Sequence, residues 1–540
     1  MEKNLKKLTY KKYTKYLFIF FIIFFLGLFT ERFDFDKRLF SVFQNTVDSI
    51  SRFLYHFTSK EKIYIDIQPK HYDKIVKTRE LSLKKNKLTE DIQDWVPAQL
   101  TYKDNSYNIK IRLKGIFSDH WEDSTQWSFK IKVSNDSKSI FGLRRFVIQP
   151  PKTLSYLYEW LFMKALEKES LISSGARYFD VIINGNSRGA YILQGQASYE
   201  LIKNNNRREG PIIGFNQSLW IESQINSNKL NAAGAVDSLN GVEDSFWRAK
   251  IEPVQFSQEK IGTQQEIYLK KAIYLLESFR DGSLKTSQVF NTDQLAKVMA
   301  LRAIIGSSEF DWLDTKFYFN PVTSLLEPIS KESHVDLNLN FKEHYFSWWI
   351  DSSKIRTHYV KNTNFFIDLL YKDKEFYEKY LHELNRLSKT KYYEELIKEN
   401  LGDFTKYKKI LKQNYPTKKV FSKEHLEINR VRIQDLLNPV QGLNIHFMDY
   451  KDNFLILNIS NLQRLPVKIL GIELEDKNKI YLKKSIFIKG KIPTVPIKKN
   501  IIKIECQNKS ECKKLIIDKQ KVIFKILGQT KERKADISRY

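Results

Sequence analysis

From Lys62 the chain alternates apolar and polar residues, in "KIYIDI" (62–67), "AQLTYKDNSYNIKIRLKG" (98–115) and "WSFKIKV" (127–133). A period of two sends successive side chains to opposite faces, so these runs read as antiparallel strands with one buried face. The turn at Lys103–Asp104–Asn105 separates two of them. "ARYFDVIINGNSRGAYIL" (176–193) adds a hairpin through Asn184–Gly185, a pair suited to positive φ.

Other stretches change period. "SYLYEWLFMKALEKESL" (155–171) and "DQLAKVMALRAII" (293–305) have helical spacing, the second with Thr292 as its N-cap. Residues 204–262 are polar and irregular, as expected of insertions over one face. "DTKFYFNPVTSLLEPI" (314–329) reads as a hairpin turning at Asn320–Pro321, and residues 361–414 as helices ending before Pro416. Beyond 440, "NFLILNISNL", "VKILGIEL", "KSIFIKG" and "IIKIEC" are short alternating runs at sandwich-like intervals, a separate β-rich region.

Length, 540 residues, suits two or three domains, and 42% hydrophobic residues are enough for folded cores. The net charge is +27, a surface that attracts anions. It is spread along the chain without a helix-turn-helix, RNP-like or zinc-finger signature, so no nucleic-acid partner is expected. At the N-terminus six Lys and one Glu in residues 1–16 precede "LFIFFIIFFLGLF" (17–29). Thirteen residues span about 20 Å as a helix, less than a bilayer core. The run reads as an uncleaved signal anchor or a cleaved signal peptide. The anchor reading gives a single-pass inner-membrane protein with its bulk outside the cytoplasm.

Phe43, Val47, Ile50, Leu54 and Phe57 form a heptad-like stripe. It serves either a dimer through residues 43–57 or a helix lying on the membrane or on its own domain. Cys506 and Cys512 either close a small disulfide loop or stay free thiols.

Taken in order, "RLKG", "SFKIKV", "RRFVIQPP", "YLYEWLFMKAL", "RYFDVIINGNSRGAYIL" and "GSSEFDWLDTKFYFNP" resemble the spore-coat-protein-H (CotH) kinase-like family over residues 62–350. That resemblance implies an α+β fold: an atypical protein-kinase-like (CotH-type) domain behind the N-terminal membrane anchor, with a C-terminal β-sandwich-like domain. The expected divisions are a basic segment (1–16), an anchor (17–30), a juxtamembrane helix (31–60), the kinase-like domain (61–415) and the β-rich domain (425–540).

The resemblance also implies ATP with Mg2+ or Mn2+, and phosphate transfer to Ser/Thr of envelope or surface proteins. Phosphoryl transfer needs cations on the phosphates, oxygens on the metal and a carboxylate at the acceptor hydroxyl. Carried over by position, Lys114, Lys130 and Arg145 contact phosphate. Glu309 or Asp311 is catalytic, and Asp314 and Glu332 hold metal.

The chain departs from the family pattern where Ser330, Gln194 and Gln196 replace acids. Glu200, Asp311 and Asp336 are spare carboxylates. Glu for Asp at 309 and 332 lengthens the arm by one methylene, and misplacement of about 1 Å can cost 100-fold in rate. The competing reading is a catalytically inactive scaffold or binding protein. His120, His334 and His344 lack metal-ligand spacing, and Arg207–Arg208–Glu209 is either a phosphate grip or a salt-bridged loop.

Overall fold

The alternating N-terminal segment closes into a barrel. In this computed structural model, residues 61–88, 94–134, 138–223, 245–307, 312–335, 364–438, 442–452, 454–491, 496–505 and 520–539 are described, with most of 44–55. The barrel strands are β1 (Lys62–Asp66), β2 (Val96–Tyr102), β3 (Asn105–Leu113), β4 (Phe129–Val133), β5 (Arg145–Gln149), β6 (Arg177–Ile183) and β7 (Asn186–Gly195). Their order is β1-β2-β3-β4-β5-β7-β6, and β6 returns parallel to β1 to complete the ring.

Ile63, Ile65, Leu100, Ile111, Ile131, Phe146 and Val181 fill the interior. Each is the apolar member of its alternating strand, so the period of two alone decides which side chains are enclosed. The Asn184–Gly185 turn has φ of 50° and 75°, the positive values a two-residue hairpin demands. Helix α1 (Pro69–Lys85) follows β1 with Pro at its start and a left-handed Asn86 at its end.

Helix α2 (Leu157–Lys168) links β5 to β6 and is buried on almost every side. A second sheet, ordered β11-β10-β8-β9, joins β8 (Ile212–Phe215), β9 (Ile251–Pro253), β10 (Lys316–Asn320) and β11 (Leu325–Ile329). The stretch expected to be insertions thus supplies two of its strands, too short to show an alternation. Helices α3 (Gln264–Arg280), α4 (Thr292–Ile305), α5 (Lys374–Lys389), α6 (Leu401–Asn414) and α7 (Lys423–Leu437) share one apolar core with α2. Asn291, not Thr292, caps α4, its side chain accepting from Gln294 N.

The C-terminal strands are β12 (Leu443–Lys451), β13 (Phe454–Asn461), β14 (Val467–Glu473), β15 (Lys479–Ile488), β16 (Asn500–Glu505), β17 (Lys521–Ile526) and β18 (Arg533–Asp536). They form a three-stranded sheet (β12-β13-β16) and a four-stranded one (β15-β14-β17-β18). Their buried residues belong to the same core as α5 and α7, and Gln529 donates to the Leu437 carbonyl at 2.5 Å.

Two expectations are corrected. The architecture is mixed α/β with a closed seven-stranded barrel and several further sheets, not an α+β kinase-like domain behind a membrane anchor, because the β1–β6 pairing shuts the N-terminal sheet on itself. No helix among the described residues is long and apolar enough to cross a membrane. The longest, α1 and α3, have 17 residues each and carry charges throughout. The anchor at 17–30 lies outside the described residues, and the single-pass inner-membrane placement that rested on it is withdrawn. The 43–57 stripe is described only in part; there Asp48 accepts from Thr417 Oγ1 at 3.0 Å. Cys506 and Cys512 are also outside the described residues.

Gly115, at the end of β3, has φ 95°, and a Cβ there would meet the His120 ring at 2.0 Å. Gly115→Ala is therefore expected to cost about 1–3 kcal/mol, measured as a lower urea midpoint at unchanged m-value.

Candidate functional site

Antiparallel partners share a face, so the register fixes where the strand cations stand. Arg112 pairs with Lys130 and Lys110 with Lys132. Lys132 pairs with Arg145, and Lys130 with Val147. Val147 in turn faces Gln194. The next row, Ile111, Ile131 and Phe146, points into the barrel. Arg112, Lys130, Lys132, Arg145 and Gln194 therefore stand on the outer wall of β3, β4, β5 and β7. Two of the three expected phosphate cations, Lys130 and Arg145, share this wall.

The third, Lys114, continues the strand just past Leu113. Its ammonium donates to Gln149 Oε1 at 2.7 Å and to Glu332 Oε1 at 2.5 Å. Glu332 lies 218 residues away, beyond β11, so the fold joins a strand lysine to the acid expected as a metal ligand. Lys114 and Glu332 retain 13% and 20% side-chain exposure: the pair is near the surface but largely desolvated. Glu332 Oε2 is within 2.9 Å of His334 Nε2.

Behind this pair a polar chain runs into the core. Gln149 Nε2 donates to Glu332 Oε1 at 3.3 Å and to Gln194 Oε1 at 3.2 Å. Gln194 Nε2 donates to Glu159 Oε1 at 2.7 Å, and Glu159 Oε2 accepts from the Ser333 backbone N–H at 2.5 Å. A fully buried carboxylate on α2 thereby holds both the glutamine chain and the segment that bears Glu332. Unpaired, each such buried group would cost about 1–3 kcal/mol.

Arg302 of α4 grips the same segment from the other side. Its guanidinium donates to Ser330 Oγ at 3.0 Å, Ser307 Oγ at 2.9 Å, the Glu332 carbonyl at 3.0 Å and the Lys331 carbonyl. Ser155 Oγ donates to the Val335 carbonyl at 2.5 Å. These clamps hold Glu332 and His334 at φ 38° and 41°, left-handed values that cost roughly 1–3 kcal/mol each in a non-glycine residue.

Electrostatics follow from burial and neighbours. Burial alone would raise the Glu332 carboxyl, but Lys114 and then His334 outweigh it and hold it well below the ordinary 4.5. Burial raises Glu159. Burial, then Lys114, pushes His120 down to about 3, so its imidazole is neutral at ordinary pH. Lys331 is lowered to about 8 by burial and then by Lys316. Burial also lowers Arg145, opposed by Glu200.

The remaining expectations divide. Glu309, Asp311 and Asp336 lie outside the described residues. Asp314 is exposed, and Ser330 is buried against Arg302. Glu200 bonds Arg144 at 2.6 Å, Arg207 bonds Glu327 at 2.9 Å and Glu209 bonds Lys260 at 2.5 Å. The 207–209 cluster is thus salt-bridged through two of its members. Among the described residues no group of three His, Cys, Asp or Glu is placed to hold a metal ion. Both Glu332 oxygens are engaged, Oε1 by Lys114 and Gln149 and Oε2 by His334. Glu159, Gln149 and Arg302 were not anticipated. Glu159 is one of four charged residues of α2 and Arg302 one of three of α4, so the sequence did not single them out.

Compared with family models and with curated proteins, the sequence matches none.

Two outcomes are expected. Glu332 has a depressed folded value, so its stabilisation is fully present above the unfolded value near 4.5 and is lost as pH falls toward the folded one. Glu332→Gln should cost about 2–3 kcal/mol at pH 7, with a gap to wild type that narrows in urea titrations between pH 5 and 3 (about the carboxylate range). Glu159, raised when folded, works in the opposite sense, supporting the fold below its unfolded value and losing that support as pH rises. Arg302→Met, which strands two hydroxyls and two carbonyls, should cost about 3 kcal/mol or more, read by chemical denaturation.

Proposed function

We propose that this chain binds the phosphates of a nucleotide against the outer barrel wall and transfers phosphate to Ser/Thr hydroxyls of a protein partner. The reading rests on the CotH-like order of motifs. The observation that carries it is the pairing of Lys114 with Glu332. The two residues that the resemblance assigns to phosphate and metal are remote in sequence and adjacent in space.

In such a reaction Lys114 and the wall cations Lys130 and Arg145 would neutralise phosphate oxygens as charge moves toward the leaving group. A carboxylate must take the acceptor proton, and Glu309 and Asp311 are the sequence's candidates for it. A divalent ion, where one takes part, would shield the phosphates further. No step is assigned to it, because both oxygens of Glu332 are committed to Lys114 and His334.

A second reading, an inactive relative that binds a phosphate ligand and acts as a scaffold, is favoured by the buried chain itself. Gln194 stands where the resemblance has an acid, and it is tied into Glu159 and Gln149. Ser330, at another acidic position, serves Arg302.

Thermal unfolding of the full chain with ATP and Mg2+ or Mn2+ separates these outcomes. Nucleotide is expected to raise the wild-type midpoint, and Lys114→Met to abolish the rise. No rise with either ion at millimolar nucleotide would sink both readings. Phosphate transfer from labelled ATP to a casein-like substrate then tells an enzyme from a scaffold.

A further inference from the structure

Three donors from separate parts of the chain converge on one carboxylate. Lys114 reaches Glu332 Oε1 at 2.5 Å and Gln149 Nε2 reaches the same oxygen at 3.3 Å, while His334 Nε2 lies 2.9 Å from Oε2. A charged donor, an amide and an imidazole around a pair of oxygens satisfy a phosphate as readily as a carboxylate. We propose that Glu332 is a resident competitor for an anion cradle formed by Lys114, Gln149 and His334, and that a phosphate-bearing ligand enters by displacing it. This inference rests on the phosphate-binding reading above and adds its regulation.

The geometry separates the side chain that must move from the backbone that stays. Arg302 holds the carbonyls of Lys331 and Glu332, Glu159 holds the Ser333 N–H, and Ser155 holds the Val335 carbonyl. None of these clamps touches the Glu332 carboxylate. Glu332 keeps 20% of its side chain exposed, so it can swing outward while these backbone clamps stay in place.

What would remain is an oriented cradle. Gln149 is fixed by Gln194, and Gln194 by Glu159. Lys114 keeps its bond to Gln149 Oε1 at 2.7 Å. An incoming phosphate thus meets donors already aimed, and the cost of entry is the lost Lys114–Glu332 contact. Glu332 sets the affinity threshold, and a ligand with too little negative charge leaves the latch shut.

Calorimetric titration of the full chain with inorganic tripolyphosphate in EDTA tests this without any metal role for Glu332. Glu332→Gln is expected to bind about tenfold more tightly than wild type, and the added Lys114→Met to remove that binding. Binding by wild type that depends on Lys114 but is equal or weaker in Glu332→Gln overturns the latch and leaves the phosphate-binding reading intact. Absence of binding in both overturns the cradle and the reading together. Hydrogen exchange on wild type guards against a folding defect in the variant. The amides of residues 331–335 should stay as protected with tripolyphosphate as without it, while the Glu332 carboxyl 13C resonance shifts; an unmoved carboxyl resonance under saturating binding overturns the displacement.

Discussion

The Lys114–Glu332 ion pair is the contact on which the arrangement around the barrel depends. It ties the end of β3 to the segment after β11, and no other described bond joins those two stretches at 2.5 Å. A largely desolvated pair of this kind adds little net stability over an apolar one, yet leaving either partner alone is costly. Its value is therefore positional. The strand sets where the lysine stands, Arg302 and Glu159 set where the acid stands, and the pair reports whether both are correct.

That positional role explains why so much polar material is buried here. Glu159, Gln149, Gln194, Ser330 and Arg302 are all buried, and all are bonded to one another or to the 330–335 backbone. A partly satisfied network in a low-dielectric core would be worse than an apolar filling. Here the bonds run from an α2 carboxylate to a lysine with 13% of its side chain exposed, and two left-handed residues are held in place by them. The same substitutions that depart from the CotH-like pattern, at 194 and 330, are links of this chain.

Much of the fold was legible because its signals are local. Alternation located the barrel strands, Asn184–Gly185 located the β6–β7 turn, and helical spacing located α2 and α4. The closure of the barrel was not legible, since the β1–β6 pairing joins residues more than a hundred apart and leaves no mark on either strand. β8 and β9, four and three residues long, are too short for a period. At the site, lysine placement followed from strand register and the resemblance. Glu159 and Arg302 were hidden among apolar neighbours, where periodicity marks a face as core but does not say which polar group that core encloses. Glu332 was anticipated as an open ligand; that its oxygens would meet a lysine depends on a contact 218 residues apart.

Barrel closure also bears on how the chain acquires its shape. β1 is the first of the described strands to be synthesised, yet its parallel partner β6 begins at Arg177 and is itself hydrogen-bonded to β7, which ends at Gly195. Loop closure over such a separation carries its entropy penalty before any contact repays it. On a ribosome that extends the chain from the N-terminus, β1 to β5 wait as an unclosed ribbon with exposed edges until the β6–β7 hairpin emerges. The Asn-Gly turn, which forms on its own timescale from neighbouring residues, is then the last piece that seals the ring.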